Sequence, residues 1–230
     1  MFYFDPYYFV YMFPAILISL FAQLKVQYAF SKYSRVSSFS GYTGAEVAQY
    51  ILRLYGIYDV DVESVEGLLT DHYDPRTRTL RLSRSVYASN SLAAIGVAAH
   101  EVGHAIQHKE RYIFLGLRSA MVPVVNIGSN LAFPLIIIGF MFRNGDFFIN
   151  LGILLFSLAV IFTIITLPVE LNATKRALNA LTTSGIIMPI EQKAVKSVLT
   201  AAALTYVASV ITAILQLLYL LSFAQRRRDD

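Results

Sequence analysis

The amino-acid sequence predicts a mainly α-helical integral membrane protein, with about four transmembrane helices and a small α+β region built on a short antiparallel sheet. Two observations predict it. Of 230 residues, 56% are hydrophobic and only 15% charged, against roughly 25% charged in typical soluble domains. Four stretches also carry no charge at all: Pro6–Leu24, Ser119–Phe142, Phe147–Val169 and Ser197–Gln225. Crossing a bilayer as a helix takes about 20 residues, and these are too many and too long to read as buried helices of a soluble protein.

Each element follows in chain order. Residues 1–24 hold the first span. No basic residue precedes it and no small-residue cleavage site follows, so it reads as retained and not as a signal peptide. Residues 25–118 are the larger polar region. There Thr43-Gly44-Ala45-Glu46 is a capping box, opening a helix that ends at Gly56. Ile57–Val65 alternates in part, as a strand does. Leu68–His72 and Thr79–Ser83 flank the turn signal Asp74-Pro75-Arg76-Thr77, which makes an antiparallel pair. The charge-free Ser85–Ala99 is short and rich in Ser and Asn and reads as a soluble helix. A helix from about Leu92 to Gln107 is capped by Ser91 or Asn90.

Residues 119–169 hold two spans. A second polar region, residues 170–198, continues the third span as helix to about Leu181, breaks at Gly185, and places Pro189 in the first turn of the last helix. Residues 199–230 are the last transmembrane helix and a basic tail, Arg226-Arg227-Arg228.

Some functions are excluded by composition. The net charge is +4 and no Lys/Arg cluster with interleaved aromatics is present, so a nucleic-acid surface is not expected. Cysteine is absent, which removes disulfides, thiolate metal sites and cysteine nucleophiles.

Chemistry concentrates in His100-Glu101-Val102-Gly103-His104. Histidines four apart stand on one helix face, about 6 Å apart along the axis, so both rings can reach one ion. Glu101 lies beside the first histidine, where a general base would take a proton from the attacking water. The expected centre is zincin-like, with one Zn²⁺ per chain, His100 and His104 as metal ligands and Glu101 as the catalytic residue.

A catalytic zinc usually takes a third protein ligand. His108 extends the series, but its Cα lies about 12 Å along the axis from that of His100, too far for bonds of about 2 Å. Glu110 stands six residues after His104 without the glycine that would turn the chain back, since Gln107 occupies that place. His72 is on the expected hairpin. Glu170 is the strongest candidate, because a carboxylate at the edge of an apolar span is costly unless paired or ligated; the alternative is an interfacial Glu paired with Lys175 or Arg176.

These residues carry a resemblance. Leu69–Pro75, then Ala98–Gln107 around the histidines, then Leu167-Pro168-Val169-Glu170 resemble the YugP-like neutral zinc metallopeptidases of bacterial membranes, and the likeness spans almost the whole chain. The arrangement is also similar to HtpX-like membrane proteases, in which a glutamate on a later helix completes a His-His-Glu site. The resemblance implies a gluzincin-type metalloendopeptidase with Glu170 as third ligand. HtpX-like proteins carry an aspartate four residues after that glutamate; this chain has Thr174. Thr174 or Asn172 is left to orient a ligand by a neutral hydrogen bond.

The expected partners are a polypeptide substrate and the lipid bilayer. Arg176, His72, Tyr73 and Tyr206 are open as donors to a transition-state oxyanion, and Thr79–Ser83 as an edge strand for an extended substrate. A silent metal-binding scaffold would have no need of Glu101. A zinc transporter would need its histidines within the spans, and His100 and His104 lie outside all four. The basic residues beside the first three spans place the metal site on the cytoplasmic side of a multi-pass protein in the bacterial plasma membrane. Arg226–Arg228 conflict with this unless the last helix is re-entrant.

Overall fold

The structure, a computed structural model, describes residues 6–67, 70–142 and 144–229, with the side chains of 228 and 229 excepted. Its elements run α1 (Pro6–Tyr33), α2 (Gly44–Leu54), β1 (Asp61–Val65), β2 (His72–Asp74), β3 (Thr79–Ser83), α3 (Arg84–Tyr87), α4 (Leu92–Lys109), α5 (Ile113–Met141), α6 (Asp146–Thr183) and α7 (Pro189–Asp229). The chain divides into two compact units. One gathers the chain up to Phe21, Leu117–Pro168 and the chain from Thr205; the other gathers Ala22–Gly116 and Val169–Leu204. Helices α1, α5, α6 and α7 each have residues in both units.

The first unit is apolar. Among the described residues, four helices are long and apolar enough to cross a membrane: α1, α5, α6 and α7. α1, α6 and α7 each contain one charge-free stretch of the sequence and extend beyond it, and α5 covers all of Ser119–Phe142 but its last residue. Ile136, Ile149, Ile153 and Ala224 pack together inside this unit, and the hydroxyls of Ser19 and Thr212 meet at 3.0 Å. Large side chains such as Ile127, Ile137 and Leu154 stay exposed, the arrangement lipid requires because helices satisfy every backbone group internally.

The last helix corrects one expectation. Helix α7 is a single 41-residue helix and not a re-entrant one. Its terminal arginines are engaged within the unit. Arg226 stacks over the Tyr7 ring at 4.1 Å. Arg227 donates to the carbonyls of Gly139 (3.0 Å) and Phe142 (2.9 Å) at the end of α5, and lies 3.6 Å from the Asp146 carboxylate. The Gly139 carbonyl is among the last four of α5, which a helix end leaves without intrahelical partners.

The second unit builds the candidate site. Helix α2 starts at Thr43 with both halves of the capping box formed and ends before Gly56, whose φ of +65° suits glycine. Three strands form one sheet in the order β1-β3-β2. This corrects the sheet in two respects. β1 pairs with β3 in parallel and only β2 with β3 is antiparallel, so the sheet is mixed. β3 is central, so Thr79–Ser83 is not a free edge; β1 and β2 are the edges. Leu68 and Leu69, expected at the start of the hairpin, lie outside the described residues. Leu80 and Leu82 leave β3 on one face and are fully buried with Val47, Ile51, Ile95, Val102, Ile106 and Leu181. On the other face Arg81 reaches Glu63 at 3.3 Å and Asp74 at 3.8 Å.

The stretch Ser85–Ala99 is also not one helix. It breaks between α3 and α4 because its backbone is drawn elsewhere: Asn90 O accepts from Ser38 N and Ser89 O from Gly44 N, both at 2.9 Å. Ser91 then caps α4 by accepting from Ala94 N.

Candidate metal centre

Helix α4 is nearly all buried along Leu92–Gln107, since small residues (Ala93, Ala94, Ala98, Ala99, Gly103) let it run through the core of its unit. His100 and His104 project from it one turn apart, with Glu101 next to His100. The two histidines meet Glu170, which lies on α6 just past the apolar stretch and is only 1% exposed. Gly103 makes this approach feasible. A Cβ there would stand 2.7 Å from the Ala173 carbonyl oxygen, so α4 and α6 touch backbone to backbone beside the ligands. Gly103 was not legible as a contact residue from the motif, which allows any residue there.

The ligand atoms of His100, His104 and Glu170 all lie within 4.8 Å of one another. A Glu170 carboxylate oxygen is 3.2 Å from His100 Nε2 and 3.5 Å from His104 Nε2. Two donors each about 2.1 Å from one ion at the tetrahedral angle stand about 3.4 Å apart. The separations of Glu170 from both histidines therefore fit donors around one tetrahedral zinc. The two imidazole rings are nearly perpendicular, with centroids 4.9 Å apart. Burial opposes a charge on His104, but the hydrogen bond to Glu170 and the carboxylates of Glu101 and Glu170 outweigh it, raising its pKa above the ordinary histidine value.

Glu101 is 8% exposed, and among the described residues it makes no hydrogen bond or ion pair. Its carboxylate is close enough to His104 to act on it electrostatically.

Three other candidates have partners of their own. His108 Nδ1 shares a 2.8 Å hydrogen bond with the Tyr73 hydroxyl, whose pKa burial and the neighbouring Asp74 push up to about 12. Glu110 pairs with Arg176 at 2.7 Å, so Arg176 is not the partner of Glu170 that the sequence left open. His72 lies on the edge strand β2 with Nδ1 on the Thr70 carbonyl at 2.7 Å.

Behind the two histidines stand neutral groups. Thr174 Oγ1 lies 3.4 Å from His100 Nδ1. Behind His104 stands Gln107, whose Oε1 is 3.0 Å from Nδ1. Sequence reasoning missed Gln107. The signal was there: a lone amide in an apolar stretch, three residues after a ligand and so on nearly the same helix face.

No solved structure matches the chain. From residue 8 to residue 225 it matches the protein family described as "Putative neutral zinc metallopeptidase". It is also 50% identical over 216 residues to "Putative membrane protease YugP" of Bacillus subtilis (strain 168), a likeness covering 94% of this chain and 96% of that protein. Because the likeness takes in both units and all three residues of the cluster, the chain belongs to this family of neutral zinc metallopeptidases.

Proposed function

We propose that the protein is a zinc endopeptidase of the bacterial plasma membrane that hydrolyses peptide bonds in membrane or membrane-proximal polypeptides, holding one Zn²⁺ per chain. The observation that carries this reading is the meeting of two helix-α4 histidines with a buried α6 carboxylate at ligand spacing, beside a buried Glu101 that makes no hydrogen bond or ion pair among the described residues. Bound there, zinc supplies Lewis acidity toward a scissile carbonyl and lowers the pKa of an attacking water. The chain's own residues do the rest. His100 and His104 present neutral Nε2 atoms, and Glu170 supplies the negative charge that offsets part of the cation's. Glu101 accepts the proton from the attacking water and can return it to the leaving amine. Detergent-solubilised protein loaded with zinc should cleave an unfolded polypeptide, lose that activity to a chelator and regain it with Zn²⁺. Binding of zinc without cleavage of any unfolded substrate would point to a silent scaffold.

The same reading includes a topology. Lys25, Lys32 and Arg35 follow the first span, Arg111 and Arg118 precede the second, and Lys175 and Arg176 follow the third. Basic residues near span ends stay in the cytoplasm, so the ligand-bearing unit faces the cytoplasm and both termini face outward. The contrary charges at the end of α7 are tempered by their partners, because Arg226 and Arg227 are bound to the chain's own ring, carbonyls and carboxylate. The chain has no cysteine, so single cysteines at the exposed Ser34 and Thr183 give a clean test. Both should resist an impermeant thiol reagent in intact cells and react after lysis. Labelling of both in intact cells would put the peptidase outside.

A further inference from the structure

The buried amide of Gln107 sits between a ligand histidine and a line of polar groups that leads away from the centre. Gln107 is fully buried. Its Nε2 donates to the Val169 carbonyl at 2.8 Å and to Asn172 Oδ1 at 3.0 Å. Asn172 Oδ1 also accepts from Arg176 Nε at 2.6 Å, and Arg176 Nη1 meets Glu110 at 2.7 Å. All these residues belong to one compact unit.

Every direction in this line is forced by chemistry. A guanidinium only donates, so the Asn172 atom facing Arg176 must be its oxygen. A backbone carbonyl only accepts, and Asn172 already presents its oxygen, so the Gln107 atom facing Val169 and Asn172 must be its NH₂. The Gln107 oxygen is thereby turned to His104. It can only accept, so His104 Nδ1 must carry the hydrogen, and in the neutral, metal-binding ring Nε2 then presents its lone pair to the ion. A neutral imidazole without such a partner divides its hydrogen between the two nitrogens.

We propose that Gln107 is the positioning residue for His104, and that Arg176, acting through Asn172, fixes the amide that selects the metal-binding tautomer. The line crosses from α4 to α6 and back, so it also holds the helix with the histidines against the helix with Glu170. Its members behind His104 are neutral where it touches the ligand, and its charges lie at the far end. This inference rests on the reading of His104 as a zinc ligand.

Zinc affinity, measured by chelator competition on the detergent-solubilised full chain, tests it. Wild type should bind zinc and His104→Ala should not; failure of that contrast removes the ligand reading itself. With the contrast in place, Gln107→Met should weaken zinc binding about 10- to 100-fold, the usual cost of losing the group behind a ligand histidine. It should also shift the visible spectrum of the Co²⁺-loaded protein. Arg176→Met should weaken binding severalfold in the wild-type background and add almost nothing to Gln107→Met, since it acts through that residue. Arg176→Lys, which keeps a donor, should restore most of the loss. If Gln107→Met does not fold, as judged by circular dichroism of the metal-free protein, Asn172→Leu carries the test and should lose affinity severalfold. Wild-type affinity in Gln107→Met, or in both Asn172→Leu and Arg176→Met, overturns the proposal. So do costs of Gln107→Met and Arg176→Met that simply add, as they would if each only tied two helices together.

Discussion

Replacing Glu101 with glutamine is expected to reduce peptide cleavage by about 10²- to 10⁴-fold, the range supplied by a positioned general base, while zinc content stays near one per chain. The separation of the two readouts follows from placement. Glu101 lies on the ligand helix but outside the set of three donor groups that lie close together, and it makes no hydrogen bond or ion pair among the described residues. Its amide analogue keeps the shape and removes only the ability to take a proton. His100→Ala and His104→Ala should lose zinc and cleavage together. Turnover of Glu101→Gln at the wild-type rate, in preparations shown free of contaminating proteases, would remove Glu101 from the chemistry. Loss of zinc in that variant would instead make Glu101 a ligand.

Much of this architecture was legible because the forces that set it are local. A span must be apolar for about 20 consecutive residues, so four helices could be read from runs without charge. The His100–His104 spacing and the Thr43–Glu46 capping box are local for the same reason: each is decided within one or two helical turns. Glu170 was legible from its cost, as a carboxylate at the edge of an apolar run, and the structure brings it to the two histidines across 70 residues of chain.

What was not legible depends on partners distant in sequence. Nothing in Asp61–Val65 says that it will lie parallel to Thr79–Ser83, and that pairing turns an expected edge strand into the central one. The break in Ser85–Ala99 comes from hydrogen bonds to residues 38 and 44, so local pattern could not reveal it. Gly103 is fixed by the Ala173 backbone and Gln107 by Val169 and Asn172. The composition of α4 gave a hint in both cases, but only the packing of α6 says what the hint means.

The pair Glu170→Ala and Glu110→Ala separates the ligand from its neighbour in charge. Glu170 is 1% exposed and reaches both histidines, whereas Glu110 is half exposed and spends its charge on Arg176. Removing a carboxylate that touches the ion should weaken zinc binding by more than the roughly 10- to 100-fold that follows loss of a group behind a ligand. Removing Glu110 should cost at most about fivefold, the equivalent of a surface ion pair worth up to ~1 kcal/mol. Glu170→Gln is the sharper variant, since it keeps the volume between α4 and α6 and a neutral oxygen toward the histidines. It should bind zinc better than Glu170→Ala and worse than wild type, because the negative charge is gone while one donor atom stays. Equal zinc affinity in wild type and Glu170→Ala would mean that the cluster is an ion-pair knot between two helices, and the third ligand would then have to be sought elsewhere in the chain.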